Sequence, residues 1–309
     1  MELIRGLSSL RPRHQGSVVT IGTFDGIHPG HRALIDSLLA HGRRLGRPAM
    51  MLTFEPMPRE YLAAANPPAR LTSWRERWRV LQRTGLNTVL QLRFDEKLRC
   101  VTGEAFTQLL ADQLKAGAVV IGHDFRFGRN GEATAPMLSE AGRRLGFDVA
   151  VVEPVLIDGQ RVSSSEIRAA LAAGDLKKAE RLLGRPYSMV GRVVLGQQLG
   201  RNLGFPTANL RLGRKRTPLQ GIFAVRVHGV DGLPNAPGVA SLGTRPTVGG
   251  TVPLLEAHVF DYSGNLYGRE IEVEFVSKLR EELHFASLDA LVVQMNQDAA
   301  QARAALVEP

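Results

Sequence analysis

Apolar positions follow two different periods in the first half of the chain. Runs 18–22 and 118–122 consist mostly of apolar and β-branched residues, which is typical of short strands buried on both faces. Residues 30–45 and 104–115 instead repeat apolar side chains every three or four positions, as one face of a helix does. Further strands are predicted at 49–54, 88–92 and 147–152, and further helices at 74–81, 165–173 and 176–183. This alternation predicts an α/β domain with a parallel sheet and helices on both faces.

The pattern changes at Gly184-Arg185-Pro186-Tyr187. From there to residue 276 the apolar segments are short, rich in glycine and β-branched residues, and separated by turns. Such a pattern is typical of an antiparallel barrel or sandwich, and a last helix is predicted over 288–306. We therefore predict two domains, a parallel-sheet domain over residues 1–184 and an antiparallel β-barrel with a terminal helix over 185–309.

Composition narrows the class of protein. The chain has 309 residues, enough for two domains, and a net charge of +9 that suits polyanionic partners such as nucleic acid or nucleotide phosphates. Its arginines occur in small scattered groups, as in 75–79 and 214–216, so most are expected on the solvated surface. Cys100 is the single cysteine, which excludes intramolecular disulfides and cysteine zinc sites and fits a cytoplasmic location. No apolar run approaches the roughly 20 residues of a membrane helix, so no membrane partner is expected.

Residues 22–31, GTFDGIHPGH, place two histidines between a predicted strand and a predicted helix. Glycine lets the backbone approach a ligand closely, Pro29 suits the first position of a helix, and a helix N-terminus favours an anion. His28 and His31 are one turn apart and are expected on one face of that helix, where they could clamp a phosphate. Zinc would need a third ligand, such as Asp25 or His123, and a purely structural turn is the remaining alternative.

This stretch resembles the His-x-Gly-His signature of the nucleotidylyltransferase superfamily. Together with the motifs below, it makes the chain resemble the bacterial bifunctional riboflavin kinase/FAD synthetase family. The resemblance implies a Rossmann-like first domain in which His28 and His31 contact the phosphates of ATP and stabilise the transition state of adenylyl transfer. Such a reaction needs alignment of two substrates and neutralisation of growing charge rather than a protein nucleophile.

Two further stretches resemble motifs of the same family. Residues 122–128, GHDFRFG, match a segment that lines the nucleotide and flavin cleft, and 161–168, RVSSSEIR, match one near the ATP phosphates. A structural turn that packs two phenylalanines is the alternative for the first, and a helix cap is the alternative for the second. The binding residues implied for the first domain are Gly22, Phe24, Asp25, Gly30, Asp124, Arg126, Ser163, Ser164, Ser165 and Arg168.

A second dense motif, GFPTAN, ends at Asn209. The glycines before it could let a loop wrap around phosphates, although their spacing alone favours a glycine-rich β-turn and lacks the Gly-Lys-Ser/Thr ending of a Walker loop. GFPTAN resembles the signature of riboflavin kinases, which implies that Thr207 and Asn209 help hold Mg²⁺ and the ATP phosphates. The binding residues implied for the second domain are Gly191, Gly196, Gly200, Thr207, Asn209, Arg245 and Arg280.

A third segment, LLEAHVFD, resembles the strand that carries the family's proposed base, here Glu256. On an alternating strand Glu256, His258 and Phe260 share one face with Leu254. Since Leu254 is apolar, this face is expected to point into the barrel, where a carboxylate calls for a functional reason. The alternative is an ordinary exposed glutamate on an edge strand.

The resemblance implies two ATP-dependent reactions that use Mg²⁺: phosphorylation of riboflavin to FMN, and adenylylation of FMN to FAD with release of pyrophosphate. The expected partners are therefore small molecules rather than nucleic acid, and the expected state is a monomer or weak oligomer. A basic RNA-binding module is the competing class. Such a module would need aromatic side chains interleaved with basic ones, and aromatics make up only 6% of this chain.

Overall fold

The computed structural model describes residues 1–196, 200, 203–247 and 250–307, and these form two compact units. The first unit consists of Met1–Pro68 and Arg77–Val162, and the second of Ala69–Glu76 and Ser163–Pro309. The segment Ala69–Glu76 therefore packs with residues far from it in the sequence. The division at residue 184 remains a prediction about the domain boundary.

The elements alternate as the apolar pattern predicts. The strands up to Val162 are β1 (Glu2–Arg5), β2 (Val18–Ile21), β3 (Ala49–Glu55), β4 (Thr88–Arg93), β5 (Ala118–Gly122), β6 (Arg126–Phe127), β7 (Ala133–Thr134), β8 (Asp148–Val152), β9 (Leu156–Ile157) and β10 (Gln160–Arg161). The helices over the same range are α1 (Pro29–Leu45), α2 (Pro58–Leu62), α3 (Trp74–Gln82), α4 (Glu96–Arg99), α5 (Gly103–Asp112) and α6 (Ala135–Leu145). Strand β1 and helix α6 were not expected, because β1 has polar ends and α6 carries few large apolar side chains.

In the described part of the first unit, a six-stranded parallel sheet has the order β1-β4-β3-β2-β5-β8. The chain runs from β2 through β3 to β4 in one direction, and then crosses to β5 and β8 on the other side of β2. Ligands of such sheets bind beyond the carboxyl ends of the strands where this direction reverses. The loops that follow β2 and β5 lie at that point, and they carry the histidine pair and the GHDFRFG stretch.

From Ser163 onward the elements are α7 (Ser164–Ala172), α8 (Leu176–Leu183), β11 (Ser188–Val194), β12 (Ala208–Arg211), β13 (Gly221–His228), β14 (Ala236–Thr247), β15 (Gly250–Val259), β16 (Glu270–Arg280) and α9 (Leu288–Val307). The strands close an antiparallel barrel in the order β11-β12-β15-β14-β13-β16. Helix α9 packs on the outside of the barrel through Ala302 and Leu306. The predicted fold class, a parallel-sheet α/β domain plus an antiparallel barrel with a terminal helix, is therefore confirmed. Among the described residues, no helix is both long and apolar enough to cross a membrane.

The barrel interior is filled from alternate positions of its strands. Ala257 pairs with Ala240, which pairs with Phe223, and each of these side chains is at most 1% exposed. Glu256 and His258 are half-buried and lie on the opposite, outer face of β15. The interior orientation predicted for them is therefore wrong. Apolar side chains of α9 and of the segment before it cover this outer face of β15. This cover explains why apolar and polar residues occur together on that face.

A buried ion pair holds the segment Ala69–Glu76 within the second unit. The carboxylate of Glu76 pairs with the guanidinium of Arg214, and the two side chains are 7% and 0% exposed. Glu76 also accepts hydrogen bonds from the backbone N–H groups of Ser73 at 2.6 Å and Val190 at 2.7 Å. The same Arg214 donates to the backbone carbonyl of Leu71 at 3.2 Å. The charges are thus compensated inside the protein, as buried charges must be.

Two arginines therefore depart from the surface location expected for most of them. The side chains of Arg214 and Arg77 are 0% and 1% exposed. Both occur in short charged clusters, 75–79 and 214–216, whose composition is typical of a solvated face. The partners that compensate Arg214 come from other parts of the chain, so local composition could not reveal its burial.

We expect Glu76→Gln to lower the free energy of unfolding by about 3–5 kcal/mol, because it leaves a buried guanidinium without its counter-charge. Urea unfolding followed by circular dichroism measures the effect. Asp231→Asn is the matched control, since it removes the carboxylate of an exposed arginine pair, with Arg269, in the same unit. It should leave the unfolding midpoint nearly unchanged. Equal shifts for the two variants would contradict the importance of burial.

Candidate active sites

The two histidines of the opening motif meet at the start of α1. His28 is the N-cap residue and Pro29 the first helical residue. The imidazole rings of His28 and His31 are stacked, with centroids 3.7 Å apart and planes 22° from parallel, as their spacing predicts. Gly30 makes room for this pair, since a Cβ there would lie 3.2 Å from the His28 ring. The backbone N–H groups of the first turn have no partner within the helix, so both the rings and the amides can meet an anion.

The loop before these histidines packs into the interior of the protein. Phe24 and Ile27 adopt positive φ angles of 52° and 44° and are each 1% exposed. The Phe24 ring centroid lies 5.2 Å from that of His31, and a Cβ on Gly22 would approach the Phe24 ring to 3.1 Å. Asp25 is likewise 1% exposed. These predicted binding residues thus form the support beneath the histidine pair, and their contact with a ligand remains a prediction.

The environment of His31 favours its neutral form. Burial lowers the pKa of His31 well below its usual value, and the positive charges of His28 and Arg77 lower it further. A neutral imidazole can donate one hydrogen bond and accept another. A phosphate placed beside it would favour the protonated form, so the ring can add positive charge when an anion arrives. The zinc alternative finds no ligand set in the described residues, which contain no group of three or more histidine, cysteine or acidic side chains placed to hold a metal.

The second predicted motif follows β5, the neighbour of β2 in the sheet. Asp124 forms an ion pair with Arg161, the first residue of the RVSSSEIR stretch, which was not among the predicted binding residues. Partial burial raises the pKa of Asp124, but the hydrogen bond and charge of Arg161 outweigh this and hold that pKa below its ordinary value. The Arg126 guanidinium is exposed and donates to the Gly131 carbonyl at 3.3 Å. Phe127 packs into the core, so the structural alternative holds for this phenylalanine.

The serine run lies at the start of α7, in the second unit. Ser163 is the N-cap, and its side chain accepts a hydrogen bond from the backbone N–H of Glu166 at 3.2 Å. Arg168 donates to the carbonyl of Ala69, at 2.6 Å, within the same unit. Ser163 therefore caps the helix, as the alternative interpretation predicts. A phosphate-binding role for Ser163, Ser164, Ser165 and Arg168 remains a prediction.

A cavity of about 330 Å³ lies on the outer face of the barrel. It gathers four residues predicted for the second site: Gly200, Thr207, Glu256 and Arg280. Its other walls are Leu203, Phe205, Ile222, Val239, Ala240, Ser241, His258, Glu282, Leu283, Phe285, Leu291, Met295 and Asp298. Three carboxylates, those of Glu256, Glu282 and Asp298, and the Arg280 guanidinium thus line a pocket whose other walls are mainly apolar. A few polar groups among apolar walls are usual in a small-molecule site.

Strand register explains how residues so distant in sequence meet there. Adjacent strands align Arg280, Ile222, Ser241, Glu256 and Asn209 in one row across the sheet. Neighbouring strands are about 4.8 Å apart. The row therefore places the Glu256 carboxylate beside Asn209 at one end and the Arg280 guanidinium at the other.

Two of the predicted glycines leave no room for a side chain, because other residues of the second site lie directly against them. A Cβ on Gly196 would lie 2.4 Å from the Asn209 side-chain amide, and one on Gly200 would lie 2.4 Å from the Phe205 carbonyl oxygen. Gly191 instead lies within β11, where a Cβ would meet Leu210 at 2.9 Å, and it does not line the cavity. The side chain of Arg245 lies outside the described residues.

A second cavity, of about 270 Å³, shares Thr207 with the first. Its other walls are Val193, Pro206, Ala208, Ala257, Val259 and residues 262–267, which include Tyr262 and Tyr267. Thr207 therefore stands between two pockets, one with a carboxylate and one with aromatic and polar walls. Two substrates bound on either side would meet at this residue.

Sequence reasoning missed Asp298 in the first cavity and gave no binding role to His258, which it placed only on the same strand face as Glu256. Asp298 on α9 is 3% exposed and binds the Arg280 guanidinium through both carboxylate oxygens, at 2.8 and 2.6 Å. The ring Nδ1 of His258 is 2.8 Å from the Pro206 carbonyl oxygen, so it anchors the loop that carries Thr207. No local pattern indicates that Asp298 binds Arg280, because the two residues are 18 positions apart on different elements.

Comparisons with known proteins match both units. The family model for FAD synthetase matches residues 10–166, and the family model for riboflavin kinase matches residues 183–306. Proteins named bifunctional riboflavin kinase/FMN adenylyltransferase are similar along nearly the whole chain. The one from Escherichia coli strain K12 is 45% identical over 98% of this chain and 97% of its own length, and the one from Haemophilus influenzae is 42% identical over 98% and 99%.

A comparison with solved structures also covers nearly the whole chain. The crystal structure of a macrolide-efflux protein from Streptococcus pneumoniae superposes with a TM-score of 0.80 at 30% identity, over 97% of this chain and 98% of that protein. The FAD synthetase match includes residues 22–31, and the riboflavin kinase match includes residues 204–209. The chain therefore belongs to the family of bifunctional riboflavin kinases/FMN adenylyltransferases.

Proposed function

We propose that the barrel cavity phosphorylates riboflavin with ATP to give FMN, and that the histidine site joins the AMP part of a second ATP to FMN, giving FAD and pyrophosphate. Family membership supports both activities. The assignment of one reaction to each site rests on one observation: the two sites consist of residues from different units. The stacked His28–His31 pair lies in the first unit, whereas Glu256, Thr207 and Arg280 meet in a cavity of the second.

In the kinase reaction Glu256 is the base. Its carboxylate takes the proton of the 5'-hydroxyl of riboflavin while the hydroxyl oxygen attacks the γ-phosphorus of ATP. A new O–P bond forms, the bond from the γ-phosphorus to the β–γ bridging oxygen breaks, and ADP leaves. The shared wall at Thr207 supports this arrangement, with riboflavin in the cavity that contains Glu256 and ATP in the cavity lined by Tyr262 and Tyr267.

Thr207 and Asn209 fit the Mg²⁺ ion that this chemistry needs. Their side chains offer neutral oxygen atoms, and Asn209 is buried against Gly196 next to Glu256 in the strand register. Mg²⁺ prefers oxygen ligands and keeps several waters and phosphate oxygens, so two protein ligands are a sufficient set. When bound, the ion neutralises phosphate charge and orients the transferred group.

In adenylyl transfer the phosphate oxygen of FMN attacks the α-phosphorus of ATP, and pyrophosphate leaves. The protein's task is alignment and charge stabilisation. His28, His31 and the backbone N–H groups that open α1 perform it, because the stacked rings lie at a helix N-terminus, which favours an anion. The lowered pKa of His31 favours its neutral form, and a bound phosphate would favour the protonated form.

The substrates are small molecules, and we propose no nucleic-acid or membrane partner. A cytoplasmic location fits a chain whose one cysteine, Cys100, is exposed and free. A monomer or weak oligomer is the proposed state.

The two activities should separate by mutation. We expect His28→Ala to lower the rate of FAD formation from FMN by a hundredfold or more, roughly what loss of a positioned transition-state donor costs, and to leave FMN formation unchanged. Glu256→Ala should do the reverse. Chromatography of products from riboflavin, ATP and Mg²⁺ measures both rates in one preparation. If either variant lost both activities, the assignment of separate sites would be wrong.

The Arg280–Asp298 pair generates a second prediction. Among the described residues, Arg280 uses three of its five N–H groups, two on Asp298 and one on the Glu281 carbonyl. The pair leaves the guanidinium oriented towards the cavity. We expect Asp298→Asn to raise the KM for riboflavin roughly tenfold or more, because charge-assisted hydrogen bonds contribute about 1.5–3 kcal/mol. FAD formation from FMN should not change.

Asp261→Asn is the matched control for this prediction. Asp261 also binds an arginine of α9, Arg303, through both carboxylate oxygens, at 2.9 and 3.0 Å. That pair is exposed and does not line the cavity. The control should therefore leave the riboflavin KM unchanged. A similar KM in both variants would mean that Asp298 does not orient Arg280 for the substrate.

A further inference from the structure

Arg77 is buried in the first unit although it lies in a cluster of charged residues. Its side chain is 1% exposed, and it is among the largest fully buried side chains of the described chain. Arginine keeps its positive charge at all ordinary pH values, and burying such a charge is costly unless the protein compensates it. A buried arginine beside a site for phosphates therefore calls for a reason.

The contacts of Arg77 connect two strand ends of the sheet. Its Nη1 donates to the backbone carbonyl of Thr23 at 2.6 Å, and its Nη2 lies 3.6 Å from a carboxylate oxygen of Glu55. Thr23 lies in the loop that leads from β2 to the histidine pair, and Glu55 is the last residue of the adjacent strand β3. The guanidinium therefore holds the loop against the carboxyl edge of the sheet.

The loop that Arg77 holds has an unusual backbone. Phe24 and Ile27 are not glycines, yet their φ angles are 52° and 44°, and Gly26 has a φ of 87°. Residues with side chains seldom adopt such angles unless the surrounding structure imposes them. The Thr23 carbonyl directly precedes Phe24, whose ring contacts His31. A chain of contacts thus runs from Arg77 through the loop to the histidine pair.

The charge of Arg77 also reaches this pair. It is one of the causes that lower the pKa of His31, which shows that the two side chains lie within electrostatic reach. Arg214, the second buried arginine among the described residues, has a different environment, because the Glu76 carboxylate pairs with it directly. The Glu55 carboxylate lies 3.6 Å from Arg77 and is one-third exposed.

We propose that Arg77 is a positioning residue of the adenylyl-transfer site: its guanidinium fixes the 22–27 loop so that His28 and His31 meet the ATP phosphates, and its buried charge strengthens the positive field there. This proposal rests on the function proposed for the histidine pair. Arg77 does not touch the reacting atoms. It acts through the Thr23 carbonyl and through its charge.

The test compares Arg77→Met, Arg77→Lys and Arg83→Met in the full-length protein. Methionine has a similar length but no charge, lysine keeps the charge but loses the planar fork, and Arg83 is an exposed arginine just after α3. The kcat and the KM for ATP are measured for FAD formation from FMN. FMN formation is measured in the same preparations, and thermal unfolding is followed by circular dichroism.

We expect Arg77→Met to lower kcat about a hundredfold with a much smaller change in KM, because misplacement by an ångström can cost that much. Arg77→Lys should give a kcat between those of Arg77→Met and the unchanged protein. Arg83→Met should behave as the unchanged protein, and FMN formation should stay constant in all three. This pattern supports positioning, since a merely structural residue would change the folded fraction and not kcat per folded molecule.

Other results would overturn the proposal. One is an unchanged kcat in Arg77→Met, and another is a loss of FAD formation that only tracks the unfolded fraction, with Arg77→Lys no better. If Arg77→Met does not fold, the test rests on Arg77→Lys. A kcat of Arg77→Lys equal to that of the unchanged protein would then count against the positioning role of Arg77. His28→Ala run in parallel separates the two hypotheses. If it leaves FAD formation intact, the proposed function of the histidine pair fails independently of Arg77.

Discussion

The second unit depends on a buried charge pair between Glu76 and Arg214. Glu76 and Arg214 come from positions 138 apart in the sequence, and neither could be buried without the other. The remaining lone pairs of the carboxylate are met by the backbone of Ser73 and Val190. Because the pairing is satisfied only in this arrangement, it specifies where the segment Ala69–Glu76 lies relative to β11.

The candidate sites of the two units contain different functional groups. In the first unit, two stacked imidazoles lie at the N-terminus of α1. The barrel cavity is lined by the carboxylates of Glu256, Glu282 and Asp298 and by the guanidinium of Arg280. The difference suits the reactions proposed for them. Adenylyl transfer joins two phosphates and needs charge neutralisation, whereas phosphorylation of an alcohol also needs a base.

Close packing against glycine makes both arrangements possible. A side chain on Gly30 would meet the His28 ring, and one on Gly196 would meet the Asn209 amide. In each case the missing Cβ lets a functional side chain lie directly on the backbone. The glycines that matter for this reason are those at the sites, whereas Gly191 serves the packing of the barrel wall.

Features that depend on neighbouring residues could be predicted from the sequence. Apolar runs and helical periods placed elements such as Ala118–Gly122 and Leu176–Leu183 correctly, and the spacing of His28 and His31 indicated that both rings lie on one helix face. These features follow from local geometry, which needs no distant partner. The position of Glu256 outside the barrel, the contact of Asp298 with Arg280, and the burial of Arg77 and Arg214 could not be predicted in this way. The orientation of a strand face and the compensation of a buried charge are set by partners from other elements, and no local pattern contains these partners.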